Sequence, residues 1–89
     1  MLKIDEVISD ASDTLQYIDF PKDNKICGIF TTINELEVQN LLNKLIFEHK
    51  GEFTRNGINY IVESYDMSNS FGDNKANYYL LWFIGKEVI

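Results

Sequence analysis

Tyr78-Tyr79-Leu80-Leu81-Trp82-Phe83-Ile84 forms the longest apolar run of this 89-residue chain. A strand at the edge of a sheet alternates apolar and polar residues, whereas this run is apolar on both of its faces. We therefore expect a strand from Asn77 to Lys86 that lies in the middle of a sheet. The run is too short for a membrane helix, which needs about 20 residues.

Other strands are predicted on the N-terminal side of this run. Residues 26–33 are β-branched and apolar on both alternating faces, which is typical of a central or doubly covered strand. Residues 52–55 and 58–65 flank the dipeptide Asn56-Gly57, which supplies the positive φ angles of a type I′ turn. They are therefore predicted to form a hairpin.

Helical periodicity predicts two helices. Apolar residues recur at steps of three and four in the first part of the chain, which predicts a helix from Leu2 to Tyr17. These residues are Ile4, Val7, Ile8, Ala11, Leu15 and Ile18. A second helix follows Asn34, which can accept from the Glu37 amide while Glu37 reaches back, and Gly51 ends it.

Two segments are rich in turn and loop residues. Residues 19–24 combine the only proline with Asp, Lys and Asn, so we expect the chain to reverse there. Residues 67–77 hold Ser, Asn, Gly and Asp in most positions, which predicts an exposed, mobile loop.

These elements predict one α+β domain over residues 1–89. The expected architecture is a two-layer sandwich, in which a four-stranded, mostly antiparallel sheet carries two helices on one face. The order along the chain is helix, strand, helix, strand, strand, strand.

Composition argues against catalysis and against a cofactor. The chain has one cysteine, Cys27, and one histidine, His49. We interpret Cys27 as a small hydrophobe in a strand and His49 as a residue that favours the negative end of a helix. One Cys and one His cannot complete a zinc site.

The acidic residues around position 66 offer two further possibilities, a calcium site and a carboxylate site. The segment that begins at Asp66 is the nearest match to a calcium loop, but Phe71 and Asn77 occupy the positions that require glycine and glutamate. We expect no metal and no cofactor. Glu63, Asp66 and Asp73 could still converge as a small acid-base site, which leaves a small enzyme as the third hypothesis.

Charge indicates a protein partner. The net charge is −6 with a single arginine, which disfavours direct binding to nucleic acid. The chain begins with acidic residues where an export signal requires basic ones. With only one cysteine, it is expected in the reducing cytoplasm.

Five residues are predicted to contact that partner. On the first predicted helix, Glu6, Asp10 and Asp13 follow at i, i+4 and i+7 as an acidic stripe. Phe71 and Asp73 lie in the predicted loop, where an aromatic ring in polar surroundings is typical of an interface. The alternative interpretation of the stripe is a solvated helix face.

The preferred hypothesis is a non-enzymatic protein that inhibits or adapts a basic or nucleic-acid-handling protein. Nucleic-acid mimics, antirestriction proteins, anti-CRISPR proteins and bacteriocin immunity proteins have this general size and charge. The alternative is a homo-oligomeric structural or accessory protein that associates through an aromatic face of its sheet.

Overall fold

The computed structural model describes residues 1–8, 12–71 and 77–89, with the side chains of residues 70, 71 and 77 excepted. Its strands are β1 (Leu2–Lys3), β2 (Thr14–Phe20), β3 (Lys25–Thr32), β4 (Glu52–Arg55), β5 (Ile58–Phe71) and β6 (Asn77–Glu87). Its helical elements are a 3₁₀ helix (Ile4–Glu6) and helix α1 (Glu35–Leu42), which continues as a π-helix (Asn43–Glu48).

All six described strands belong to one mixed sheet with the order β1-β4-β5-β6-β3-β2. The β1–β4 pair is parallel and the other four pairs are antiparallel. The sheet curls into a half-barrel. The predicted sandwich of four strands with two helices on one face is therefore wrong, because the described residues form six strands and one long helical segment.

The predicted helix from Leu2 to Tyr17 is the main error. The described part of this segment holds β1, the 3₁₀ helix and the first half of β2. Residues 14–20 carry a second pattern of period two, in which Leu15 and Tyr17 are half-buried between exposed neighbours. Pairing of β2 with β3 along its full length satisfies the backbone and favours this second pattern over the helical one.

The predicted reversal at residues 19–24 is confirmed, although it joins two strands. β2 and β3 form a hairpin in which the Asp23 N–H donates to the Phe20 carbonyl at 3.1 Å. Asn24 adopts a φ of 55°, a conformation that Asn tolerates better than most residues.

The predicted loop at residues 67–77 is wrong up to Phe71. β5 and β6 pair from Tyr60 opposite Glu87 to Phe71 opposite Asn77. The polar residues at positions 68–70 were interpreted as a loop, yet the pairing with β6 places them in a strand. Residues 72–76 lie outside the described part of the chain.

Several local predictions are confirmed. β6 lies between β5 and β3 in the sheet. Asn56 and Gly57 have φ angles of 52° and 78° and connect β4 to β5. Asn34 caps α1, where its side chain accepts from the Leu36 amide at 3.0 Å rather than from the predicted Glu37 amide.

The core lies between α1 and the inner face of the sheet. On β3 the buried positions alternate, so Ile26, Gly28, Phe30 and Thr32 face inwards. The Phe83 ring occupies the space that a side chain at Gly28 would fill, so this position requires glycine. Buried apolar side chains complete the core: Leu2, Ile4, Val38, Leu41, Leu42, Leu45, Phe53, Tyr60 and Leu81.

Candidate functional site

The free edge of β5 is the most unusual feature of the described sheet. β4 pairs with β5 only from Ile58 to Ile61, and the Val62 N–H donates to the Gly51 carbonyl at 2.8 Å. Beyond Val62, no described strand pairs with residues 63–71 on the side away from β6. Such an edge offers unpaired N–H and C=O groups to another chain.

The direction of these backbone groups follows from one hydrogen bond. The Glu87 N–H donates to the Asn24 carbonyl at 2.8 Å, so every second residue of β6 before it, including Leu81 opposite Met67, points to β3. The backbone groups of Met67 therefore point away from β6, and its N–H donates to Asp66 Oδ1 at 2.8 Å. In an antiparallel pair, alternate residues direct their N–H and C=O groups to the same side. Tyr65, Met67 and Asn69 therefore present their backbone groups to the free edge.

The same three residues also share a face of the sheet. Tyr65 pairs with Phe83 and Met67 pairs with Leu81, and both of these β6 partners are fully buried. Directly opposite residues lie on the same face, so Tyr65 and Met67 lie on the inner face. Their side chains nevertheless remain 43% and 42% exposed, because the core does not extend to this margin.

Helix α1 and the π-helix run beside the free edge. The start of α1, at Glu35 and Gln39, forms an open hollow with residues 67–69 of β5. The end of the π-helix, at Ile46, and Lys50 form a second hollow with residues 62–65. We call the edge at residues 63–69 and these two hollows the β5 groove.

The charges of the β5 groove are unevenly distributed. Glu35 is exposed and makes no ion pair within the described ranges, and the residues that line its hollow include no Lys or Arg. Glu63, at the other hollow, is already paired with Lys25 at 2.9 Å. That hydrogen-bonded pair raises the pKa of Lys25. Glu35 is therefore the carboxylate that remains available to a bound cation.

The helix predicted to carry the acidic stripe is wrong, because no α-helix is found there among the described residues. Glu6 is exposed at the end of the 3₁₀ helix, whereas Asp13 is buried before β2 and its Oδ1 has no hydrogen-bond partner among the described residues. Asp10 lies outside the described residues. Glu6 and Asp13 therefore do not share one exposed surface, and the partner-binding role of the three acids stays a prediction.

The predicted residues near β5 have different outcomes. Phe71 ends β5 just beyond the β5 groove, and its side chain is outside the described set. Asp73 lies outside the described residues altogether. Of the acids considered for catalysis, Glu63 binds Lys25 and Asp66 accepts from the Met67 amide. No group of three or more His, Cys, Asp or Glu in the described ranges is placed to hold a metal ion.

Sequence reasoning missed the β5 groove, although part of its signal was present. Residues 64–69 alternate Ser, Asp and Ser with Tyr, Met and Asn, which is the period of a half-buried strand. The many Ser, Asn, Gly and Asp residues at positions 67–77 indicated a loop more strongly than this alternation indicated a strand. The shortness of β4, which leaves the edge free, has no local signature.

A second exposed apolar surface lies on the outer face of the sheet. Cys27 lies between Ile18 of β2 and Ile84 of β6. Two residues further along β3, on the same face, Ile29 lies beside Trp82. Ile18 is 50% and Trp82 36% exposed. α1 packs on the opposite face, and no described element covers these side chains. We call Ile18, Cys27, Ile29, Leu80, Trp82 and Ile84 the outer patch.

Within the described residues, no helix has the length and apolar character needed to cross a membrane. No protein-family model matches the chain, and neither a curated protein nor a solved structure matches it.

Proposed function

We propose that this protein is a non-enzymatic binding module that captures an extended segment of another protein on the free edge of β5. The observation that carries the proposal is the side of residues 63–71 that no described strand pairs with, next to a helix-lined groove. Extended segments bind to such edges by strand addition, where main-chain hydrogen bonds give affinity and alternate side chains give specificity.

The geometry of the β5 groove suits this mode of binding. The backbone groups of Tyr65, Met67 and Asn69 point to the edge, and their side chains lie on the inner face. An added strand would place every second side chain over the same face, towards α1 and the π-helix. The edge of β5 would thus bind the backbone of the added strand, and the two hollows beside it would bind its side chains.

The charge of the chain supports an inhibitor or adaptor of a basic protein. A net charge of −6 attracts basic partners at long range and accelerates their association. The reducing cytoplasm is the proposed location, since Cys27 is a free thiol at a half-buried position.

Selection from a displayed library of random peptides tests the proposal. Peptides of about ten residues are long enough to cover the edge. Peptides enriched on the wild-type protein should bind Met67→Pro at least about tenfold more weakly, because proline removes the Met67 N–H, which a captured strand would take over from Asp66 Oδ1, without removing a β6 hydrogen bond. Ile18→Ser, on the outer face of β2, is the control and should bind normally.

Amide hydrogen exchange supplies the second measurement. Binding should slow exchange at Tyr65, Met67 and Asn69, whose amides face the edge. Selected peptides that bind Met67→Pro as tightly as wild type, without protection of these amides, would contradict the proposal. Circular dichroism should show first that Met67→Pro retains the fold.

The outer patch supports a second candidate function, a homo-oligomeric structural or accessory protein. Stacking of two outer faces would cover Trp82 and Ile18, which are otherwise solvent-exposed. Sedimentation should then show a concentration-dependent mass that Trp82→Lys reduces to the monomer. A mass that stays monomeric at all concentrations would exclude this candidate.

A further inference from the structure

The two hollows of the β5 groove differ in chemistry. The hollow at the start of α1 combines the apolar side chains of Val38, Met67 and Tyr79 with the carboxylate of Glu35. Lys and Arg match this combination, because their long stems pack on apolar surface while the cationic end reaches a carboxylate. An aliphatic side chain would leave Glu35 unpaired.

The hollow at the end of the π-helix suits a different side chain. Ile46, Val62 and Tyr65 supply an apolar lining, and Glu63 on its rim is held by Lys25 at 2.9 Å. Lys50 is the remaining cation at this hollow, which disfavours a second basic residue. An aliphatic or aromatic side chain is therefore the complementary occupant.

The spacing of the hollows sets the spacing of the two side chains. Tyr65 lines one hollow and Asn69 the other, and these two inner-face residues are about 13 Å apart along the strand. Four residues is an even step, so both side chains of an added strand would point to the same face. On the helical side, Glu35 lines one hollow and Ile46 the other, and the helical segment spans a similar distance of about 15 Å between them.

We infer that the captured segment belongs to another protein and carries a Lys or Arg that pairs with Glu35, with an apolar residue four positions away that contacts Ile46. The inference rests on the proposed function and specifies its ligand. Edge-to-edge pairing with β5 of a second copy does not fit, because residues 58–71 contain no Lys or Arg. The chain's net charge of −6 would also repel another copy.

The displayed library tests the inference directly. Enriched peptides should carry Lys or Arg and an apolar residue four positions apart, in either order along the peptide. For a synthetic peptide from this set, Glu35→Gln should weaken binding by about five- to tenfold at low salt, and the effect should shrink at high salt.

Glu37→Gln is the matched control, since it removes the same charge from the same turn of α1. Glu37 lines a separate hollow beside Phe30 and Lys44, so peptide affinity should not change. Replacing the peptide's Lys or Arg with Met should reproduce the loss seen in Glu35→Gln. The two changes together should cost no more than either one alone.

The outcomes separate this inference from the proposed function. Peptides that require Met67 but show no basic preference and no response to Glu35→Gln would overturn the inference and leave strand addition intact. Peptides that ignore Met67→Pro would overturn both. Concentration-dependent protection of the β5 amides without any peptide would assign the edge to a second copy and overturn the inference.

Discussion

The guanidinium carbon of Arg55 lies 4.0 Å from the centroid of the Tyr17 ring. Arg55 belongs to β4 and Tyr17 to β2, and β5, β6 and β3 separate these strands in the sheet. The contact therefore crosses the concave side of the curled sheet. Tyr17 donates its O–H to Asp5 Oδ1 at 3.1 Å, and Arg55 Nη1 lies 3.6 Å from Asp19 Oδ1.

Removal of this contact should weaken the closure of the sheet. Arg55→Leu should lower the free energy of unfolding by about 1–2 kcal/mol, mainly through the lost cation–π contact. The ion pair adds little because the Asp19 side chain is 65% exposed. Arg55→Lys keeps the charge but not the flat stacking, so it should be intermediate. Urea denaturation measures the effect, and equal stability of Arg55→Leu and wild type would show that the contact does not hold the curl.

Alkaline pH should destabilise the fold through Tyr17. Burial, the charge of Asp5 and its hydrogen bond with the phenol raise the pKa of Tyr17, while Arg55 lowers it by less. In the unfolded chain this phenol loses its proton near pH 10, whereas the folded chain keeps it. The unfolded state then binds fewer protons, so the free energy of unfolding falls as pH rises above about 10.

Urea denaturation between about pH 8 and pH 11 measures this dependence. Tyr17→Phe should reduce the slope above pH 10, although it costs about 1 kcal/mol at neutral pH through the lost hydrogen bond. Tyr78→Phe, which changes a 40% exposed ring, is the control and should keep the wild-type slope. The same slope in Tyr17→Phe and wild type would contradict the assignment.

Asp66 should protect the free edge from pairing with other copies. Its carboxylate accepts from the Met67 N–H and places an unpaired charge on this edge, where the other carboxylate, Glu63, is paired with Lys25. Charges on edge strands oppose edge-to-edge aggregation. Asp66→Ala should therefore increase self-association, measured by light scattering of concentrated samples. Asp66→Asn keeps an acceptor but not the charge, so its self-association should lie between that of wild type and that of Asp66→Ala. If Asp66→Ala stayed monomeric, Asp66 would not have this protective role.

The success of the sequence predictions depended on how local the determining interactions are. The hairpin at Asn56-Gly57 and the cap at Asn34 depend on a few neighbouring residues, and both were predicted. Residues 14–20 fit both a helical and a strand period, and it is pairing with β3 that makes them a strand. The β5 groove depends on the strand order and on the short length of β4, and neither can be predicted from the local sequence of one segment.

Asp13 provides a final test, because it was expected on an exposed stripe and is instead only 7% exposed. Its Oδ1 has no hydrogen-bond partner in the described structure, and burial of an unpaired carboxylate oxygen costs more than burial of a neutral amide. Asp13→Asn should therefore raise the free energy of unfolding by about 1 kcal/mol at neutral pH. Glu6→Gln removes the same charge from an exposed position and should change it by less than about 0.5 kcal/mol. If urea denaturation gave equal effects for the two variants, the gain would come from net charge rather than from the buried oxygen.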